Sequence, residues 1–232
     1  MLSMHHQREE PRPMPDASNR HDTSFKLFVD ALLAGDRPAC SSIAWAYLDS
    51  GEPIISLYEH IITRSLYEVG RLWEFNRISV ATEHMATAIA EAIMNELYPR
   101  VVQTTHIGRA MVAACVESEE HQVGIKMVAD IFEMRGWDAY FLGANIPTGE
   151  LMSFIRTRRP SLVALSLAIY FNVPLLAQMV AALRSAFPEI SVLVGGQAFS
   201  HGPDVILRAL GEVKHLPNLY SIEEYITHEW RE

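Results

Sequence analysis

Glu119, His121 and Gly124 fall together as Glu-x-His-x-x-Gly just after the apolar run Ala110–Val116. A loop histidine offers an imidazole nitrogen to a metal. A carboxylate two residues earlier can take the ring's other N–H, which sets the tautomer and raises the basicity of the ligating nitrogen. Two further features close apolar runs in the same way: Ser166 with Leu167 and Ala168 behind it, and the pair Gly195–Gly196. Each has an ordinary explanation alone. A histidine among acids is commonly solvated or a helix cap, a strand-end serine a satisfied hydroxyl, and Gly–Gly a tight turn. Their spacing is more specific, with the 41 residues 125–165 before Ser166 and the 26 residues 169–194 before Gly195. Nearer the N-terminus, Trp73 is followed after nine residues (74–82) by Glu83–His84. Trp73 continues the stripe Leu66–Val69, as a core residue would. Glu83 has Ser79, Val80, Ala86 and Thr87 around it on a helix, with no cation to explain it. His84 lies among Val80, Ala81, Thr87 and Ala88, which predicts that it faces the interior.

Two kinds of element must position these groups. From residue 23 to 102 apolar residues recur at helical spacing. Phe25, Phe28, Val29 and Leu32 lead to a stop at Gly35, and Cys40, Ile43, Ala44 and Tyr47 to a stop at Gly51. Ile55, Tyr58, Ile62, Leu66, Val69 and Trp73 mark a longer third helix from near Pro53, and Ser79 is a suitable N-cap for a fourth. Short connections between them predict a four-helix bundle. From 105 to 232 strands alternate with helices. Ala110–Val116, Ala139–Leu142, Leu162–Leu165, Ile190–Val194 and a weak strand near Leu216 alternate with helices over 122–135, 148–157, 174–187, 203–210 and from Ser221. Right-handed crossovers then give an α/β fold, a doubly wound, flavodoxin/Rossmann-like parallel five-stranded sheet. Ligands of such a sheet bind beyond the carboxyl ends of its strands, where all three downstream features lie.

Composition narrows the class. The 232 residues are 49% hydrophobic and 20% charged, with a formal net charge of -9. That excludes a whole-surface grip on nucleic acid and a polybasic membrane surface. Cys40 and Cys115 sit inside apolar patterns and read as buried thiols of a reducing compartment rather than a disulfide framework. No apolar run approaches the ~20 residues that span a bilayer. Residues 1–22 are polar and Pro-interrupted, and read as a disordered tail with no signal-peptide stretch. The expectation is a cytoplasmic protein that binds neither nucleic acid nor membrane.

The spacing of Glu119-x-His121-x-x-Gly124, Ser166-x-Ala168 and Gly195–Gly196 resembles the cobalamin-binding signature of corrinoid proteins that hold the cofactor with its own base displaced. The resemblance implies that His121 is the lower cobalt ligand. It also implies that Ser166, Gly195 and Gly196 line the slot for the displaced nucleotide tail. Glu119 stands where the older signature has Asp, and Ala168 where it has Leu. The Trp73-x9-Glu83-His84 pattern resembles the light-sensing, adenosylcobalamin-dependent regulators of the CarH type, whose helical bundle caps the upper cobalt face. This implies that Trp73 packs on the adenosyl group, Glu83 hydrogen-bonds its sugar and His84 lies close by. Those regulators carry an N-terminal helix-turn-helix domain, where this sequence reads as some 20 polar residues before the bundle, and a His directly after the Trp, where this sequence has Glu74. The implied protein is a stand-alone adenosylcobalamin light sensor, not an enzyme, signalling through a homo-oligomer (dimer or tetramer) or a separate output protein. A similar layout in photocobilins adds a bilin such as biliverdin as a second chromophore. The alternative is a corrinoid methyl carrier of a methyltransferase system, which has no need of Trp73, Glu83 and His84. An FMN-binding flavodoxin-like domain is disfavoured by the acids Glu117, Glu119 and Glu120, where a phosphate cradle wants N–H donors.

Overall fold

The computed structural model describes residues 17–102, 105–200 and 202–230. Helices α1 (Ala17–Ala34), α2 (Arg37–Asp49) and α5 (Val80–Leu97) form the N-terminal bundle with a longer third rod. That rod is composite. A short turn, α3 (Ile54–Ser56), runs into a π-helical segment over Leu57–Thr63 and on into α4 (Arg64–Glu74). The ends follow sequence chemistry. Gly35 takes a left-handed φ of 71° after α1. Asp36 accepts a hydrogen bond from the Ala39 N–H at 3.0 Å, and Ser79 accepts one from the Thr82 N–H at 3.1 Å. Of the expected tail, residues 1–16 lie outside the described residues, whereas 17–22 open α1. Tertiary contacts extend the helix beyond its apolar stripe: Arg20 reaches the Ser50 hydroxyl at 3.2 Å, and His21 stacks on His60 at 4.5 Å.

The remainder alternates as expected: β1 (Ala110–Cys115), α6 (Val123–Met134), β2 (Asp138–Gly143), α7 (Thr148–Arg158), β3 (Leu162–Ser166), α8 (Val173–Ala186), β4 (Ser191–Gly195), α9 (Pro203–Leu210), β5 (Lys214–His215) and α10 (Leu219–Glu229). The last strand is two residues long and precedes Leu216 instead of containing it. All pairings are parallel, in the order β2-β1-β3-β4-β5. One face of the sheet packs against α6, α10 and the bundle in a single continuous core. The other face packs against α7, α8 and α9. Strands β1 and β3 are buried on both sides, which is why they read as unbroken apolar runs. No helix among the described residues is long and apolar enough to cross a membrane.

The bundle is bonded to the α/β part as well as packed on it. The fully buried Tyr58 donates to Asp130 at 2.8 Å, and Lys126 approaches the same carboxylate at 3.3 Å. Removing the hydroxyl alone, in Tyr58→Phe, leaves a buried carboxylate short of one donor. The expected cost is about 2 kcal/mol, a hydrogen bond to a charged group. Urea denaturation followed by circular dichroism should show it as a lower midpoint at unchanged slope; an unchanged midpoint would assign the joint to packing alone.

Candidate cobalamin site

Register aligns the upper rim of the sheet. Cys115 pairs with Ser166 and Ser166 with Gly195, so the loops after β1, β3 and β4 leave from one line. The strand order reverses between β1 and β3, and the crevice beside their carboxyl ends is where an open α/β sheet receives its ligand. Glu119 and His121 stand in the loop after β1.

Glu119 is fully buried and saturated with donors. One carboxylate oxygen takes the His121 backbone N–H at 3.2 Å together with the His121 ring through Nδ1. The other takes the backbone N–H groups of Ala168 at 2.8 Å and Ile169 at 2.9 Å. Burial alone would raise the Glu119 carboxyl. The bonds from the His121 ring and from the Ile169, Ala168 and His121 N–H groups outweigh it and hold the group at about 2. The bonded Glu119 in turn raises the proton affinity of His121 against its partial burial, with smaller contributions from Glu83 and Glu120. The His121 side chain is 57% exposed, and Nε2 has no partner among the described residues. Nδ1 is held and Nε2 is presented, which is the arrangement of an oriented imidazole ligand. Beside it, Gln122 bonds Glu91 of α5 at 2.8 Å and ties this loop to the bundle.

Below the rim lies a cavity of about 330 Å³. Gly124, Ser166, Gly195 and Gly196, all expected from the sequence, line it. The two glycines of the pair serve different ends. Gly196 has a φ of 106°, and a Cβ there would sit 2.3 Å from the Leu167 carbonyl oxygen, so the turn itself requires glycine. A Cβ on Gly195 or Gly124 would meet nothing within 4 Å. Their missing side chains leave open space in the slot.

The upper-face residues are arranged differently from expectation. Trp73 is 49% exposed at the end of α4, so the stripe of Leu66 and Val69 leaves the core before reaching it. Glu83 is partly buried and accepts from Thr87 at 3.0 Å and bonds His84 Nδ1 at 2.5 Å. Its partners are local, the hydroxyl of its i+4 neighbour Thr87 and the ring of the adjoining His84, and neither is a Lys or Arg at helical spacing. The expectation of an interior His84 is overturned: its side chain is 75% exposed. The buried face of α5 is Ala86, Ile89, Ala90, Ile93, Met94 and Leu97, and His84, two residues before Ala86, points about 200° away from that residue. Val80, Ala81 and Ala88, which had made its setting read as interior, are themselves exposed. Glu74 is exposed beside Trp73.

Some parts of the site carry no side-chain signal in the sequence. The donors to Glu119 from Ala168 and Ile169 are backbone groups, so the substitution of Ala168 within the signature leaves them intact. The far wall of the cavity comes from Glu59, Thr63 and Tyr67 of the third bundle rod and from Phe199 and His215, ring-stacked at 4.7 Å.

Among the described residues no three His, Cys, Asp or Glu side chains converge to hold a metal ion. A single presented imidazole suits a metal whose other positions come with a macrocycle, and a glycine-lined slot below it suits a threaded tail. The residues fit a corrinoid.

Comparison with known proteins agrees. A B12 binding domain model matches residues 109–214, and a second B12 binding domain model matches residues 25–98. The HTH-type transcriptional repressor CarH of Myxococcus xanthus is 27% identical over 184 residues, covering 79% of this chain and 60% of the repressor. The CarA repressor of the same organism is matched over 46% of its length. Trimethylamine corrinoid protein 1 of Methanosarcina acetivorans is 24% identical over 174 residues, covering 72% of this chain and 80% of that protein. The monomethylamine corrinoid protein of Methanosarcina barkeri superimposes with a TM-score of 0.76 at 14% identity, over 91% of this chain and 100% of that one, a likeness of fold. With B12 binding domains matched on both the bundle and the sheet, and an oriented imidazole above a glycine-lined slot, the chain is a cobalamin-binding protein.

Proposed function

We propose that the protein is an adenosylcobalamin-dependent light sensor, signalling through bundle position or assembly rather than catalysing a reaction. The observation that carries the reading is that the bundle offers both a half-exposed indole, Trp73, at the end of α4 and a partly buried carboxylate, Glu83, in the first turn of α5. An apolar plane and an acceptor suit a nucleoside, and a methyl group needs neither. The cofactor supplies, when bound, a cobalt–carbon bond that visible light cleaves. On the lower side His121 is held in one tautomer by Glu119. On the upper side Glu83 is braced by Thr87 and His84 so that it can accept from a ribose hydroxyl. With the cofactor bound, the exposed His84, held through Nδ1, would offer its other nitrogen as an imidazole to the metal, a role the exposed Glu74 would serve less well. The homo-oligomer, the separate output protein and biliverdin as second chromophore belong to this proposal.

The methyl-carrier reading draws support from the likeness to the trimethylamine corrinoid protein, 24% identical over 174 residues. Dark affinities separate the two. A hydrogen bond to a charged acceptor is worth about 1.5 kcal/mol or more, so adenosylcobalamin should bind at least ~10-fold tighter than methylcobalamin. Glu83→Ala should remove most of that preference. Equal affinity for both forms, with Glu83→Ala silent, would establish the methyl carrier instead.

A further inference from the structure

The rod that carries Trp73 at its end also forms a wall of the lower slot. Glu59 and Thr63 lie in its π-helical segment and Tyr67 in α4, and all three line the cavity with Ser166, Gly195 and Gly196. Their alignment depends on the change of helix type. In an α-helix four residues overshoot a full turn by about 40°, and in the wider π-turn four residues fall short of one. The two errors oppose each other, so Glu59, Thr63 and Tyr67 stay in line along the slot. Glu59 and its neighbour also grip the opposite wall. The Glu59 carboxylate accepts the Leu219 N–H of α10 at 3.1 Å, and the Tyr220 hydroxyl lies 3.3 Å from His60. Thr63 touches α6 through Met127 at 3.4 Å. A π-segment that kept to α geometry would rotate these groups off the slot.

We propose that the helical bundle, through this segment, is a specificity wall for the nucleotide tail. The bundle is then more than a cap on the upper face. The chain discriminates corrinoids that carry an aromatic base on their tail from tail-less ones, and Thr63 and Tyr67 set that discrimination. The inference rests on the cobalamin assignment and not on the light-sensing one; the Glu83→Ala comparison probes the upper ligand, so either can fail alone.

Cobalamin and cobinamide, the same corrin without its nucleotide tail, are titrated separately into the full chain. Thr63→Trp fills the slot from the bundle side. It should weaken cobalamin at least ~10-fold and cobinamide less than ~3-fold. Tyr67→Ala opens the wall at a half-exposed position that the fold tolerates, and should lower the cobalamin-to-cobinamide affinity ratio at least ~3-fold. Equal losses for both corrinoids, or no loss for either, would overturn the proposal. Should Thr63→Trp fail to fold, Tyr67→Ala decides it, and a ratio equal to that of the wild type is the overturning result.

Discussion

His121→Ala is expected to cost the protein at least ~100-fold in affinity for adenosylcobalamin, the loss of a metal ligand worth about 3 kcal/mol. The variant should still fold, at somewhat lower stability, because the buried Glu119 loses the ring donor but keeps the backbone N–H groups of His121, Ala168 and Ile169. Its absorption spectrum on loading should be that of cobalamin with water, or the cofactor's own base, below the metal. His121 is the one imidazole in the loop after β1, and Glu119 orients it. The same spectrum and affinity as wild type would show that the lower ligand comes from elsewhere.

The glycine pair should separate binding from folding. Gly195→Leu places a side chain in open space within the slot, so the fold should persist while cobalamin affinity falls at least ~10-fold. Gly196→Ala should do the reverse. Its left-handed φ and the 2.3 Å approach to the Leu167 carbonyl force the turn to move, at a cost of about 2–3 kcal/mol. For a chain of this size that is a fall in melting temperature of roughly 5–10 °C. Differential scanning calorimetry of the two apo variants, with cobalamin titrations alongside, tests both. Equal destabilisation by the two substitutions would mean that the slot-side glycine is also structural.

Features set by local chemistry were legible in the sequence. Double burial leaves β1 and β3 apolar throughout, and the Gly35 and Ser79 termini follow from backbone conformation and capping. The Glu119–His121 pair could be read because two residues suffice to make it. What needed three dimensions was hidden. The π-segment leaves no trace, since the steps from Ile55 to Tyr58, Ile62 and Leu66 suit an α-helix equally well. Helix α1 starts early because Arg20 and His21 find tertiary partners, which propensity does not register. His84 was misread because small apolar neighbours need not be buried ones. The second pair of donors to Glu119 is backbone, and no residue type encodes it.

The central claim is that cobalt sits on His121 with the cofactor's own base displaced. Electron paramagnetic resonance of the protein loaded with cobalamin and reduced to the cobalt(II) state reads the axial nitrogen directly, through its superhyperfine splitting. With natural-abundance protein the splitting is a triplet from one nitrogen-14. Protein labelled with nitrogen-15 only at histidine should convert it to a doublet, and His121→Ala should abolish that conversion. A triplet unchanged by the histidine label would place the cofactor's own base on cobalt and contradict the account.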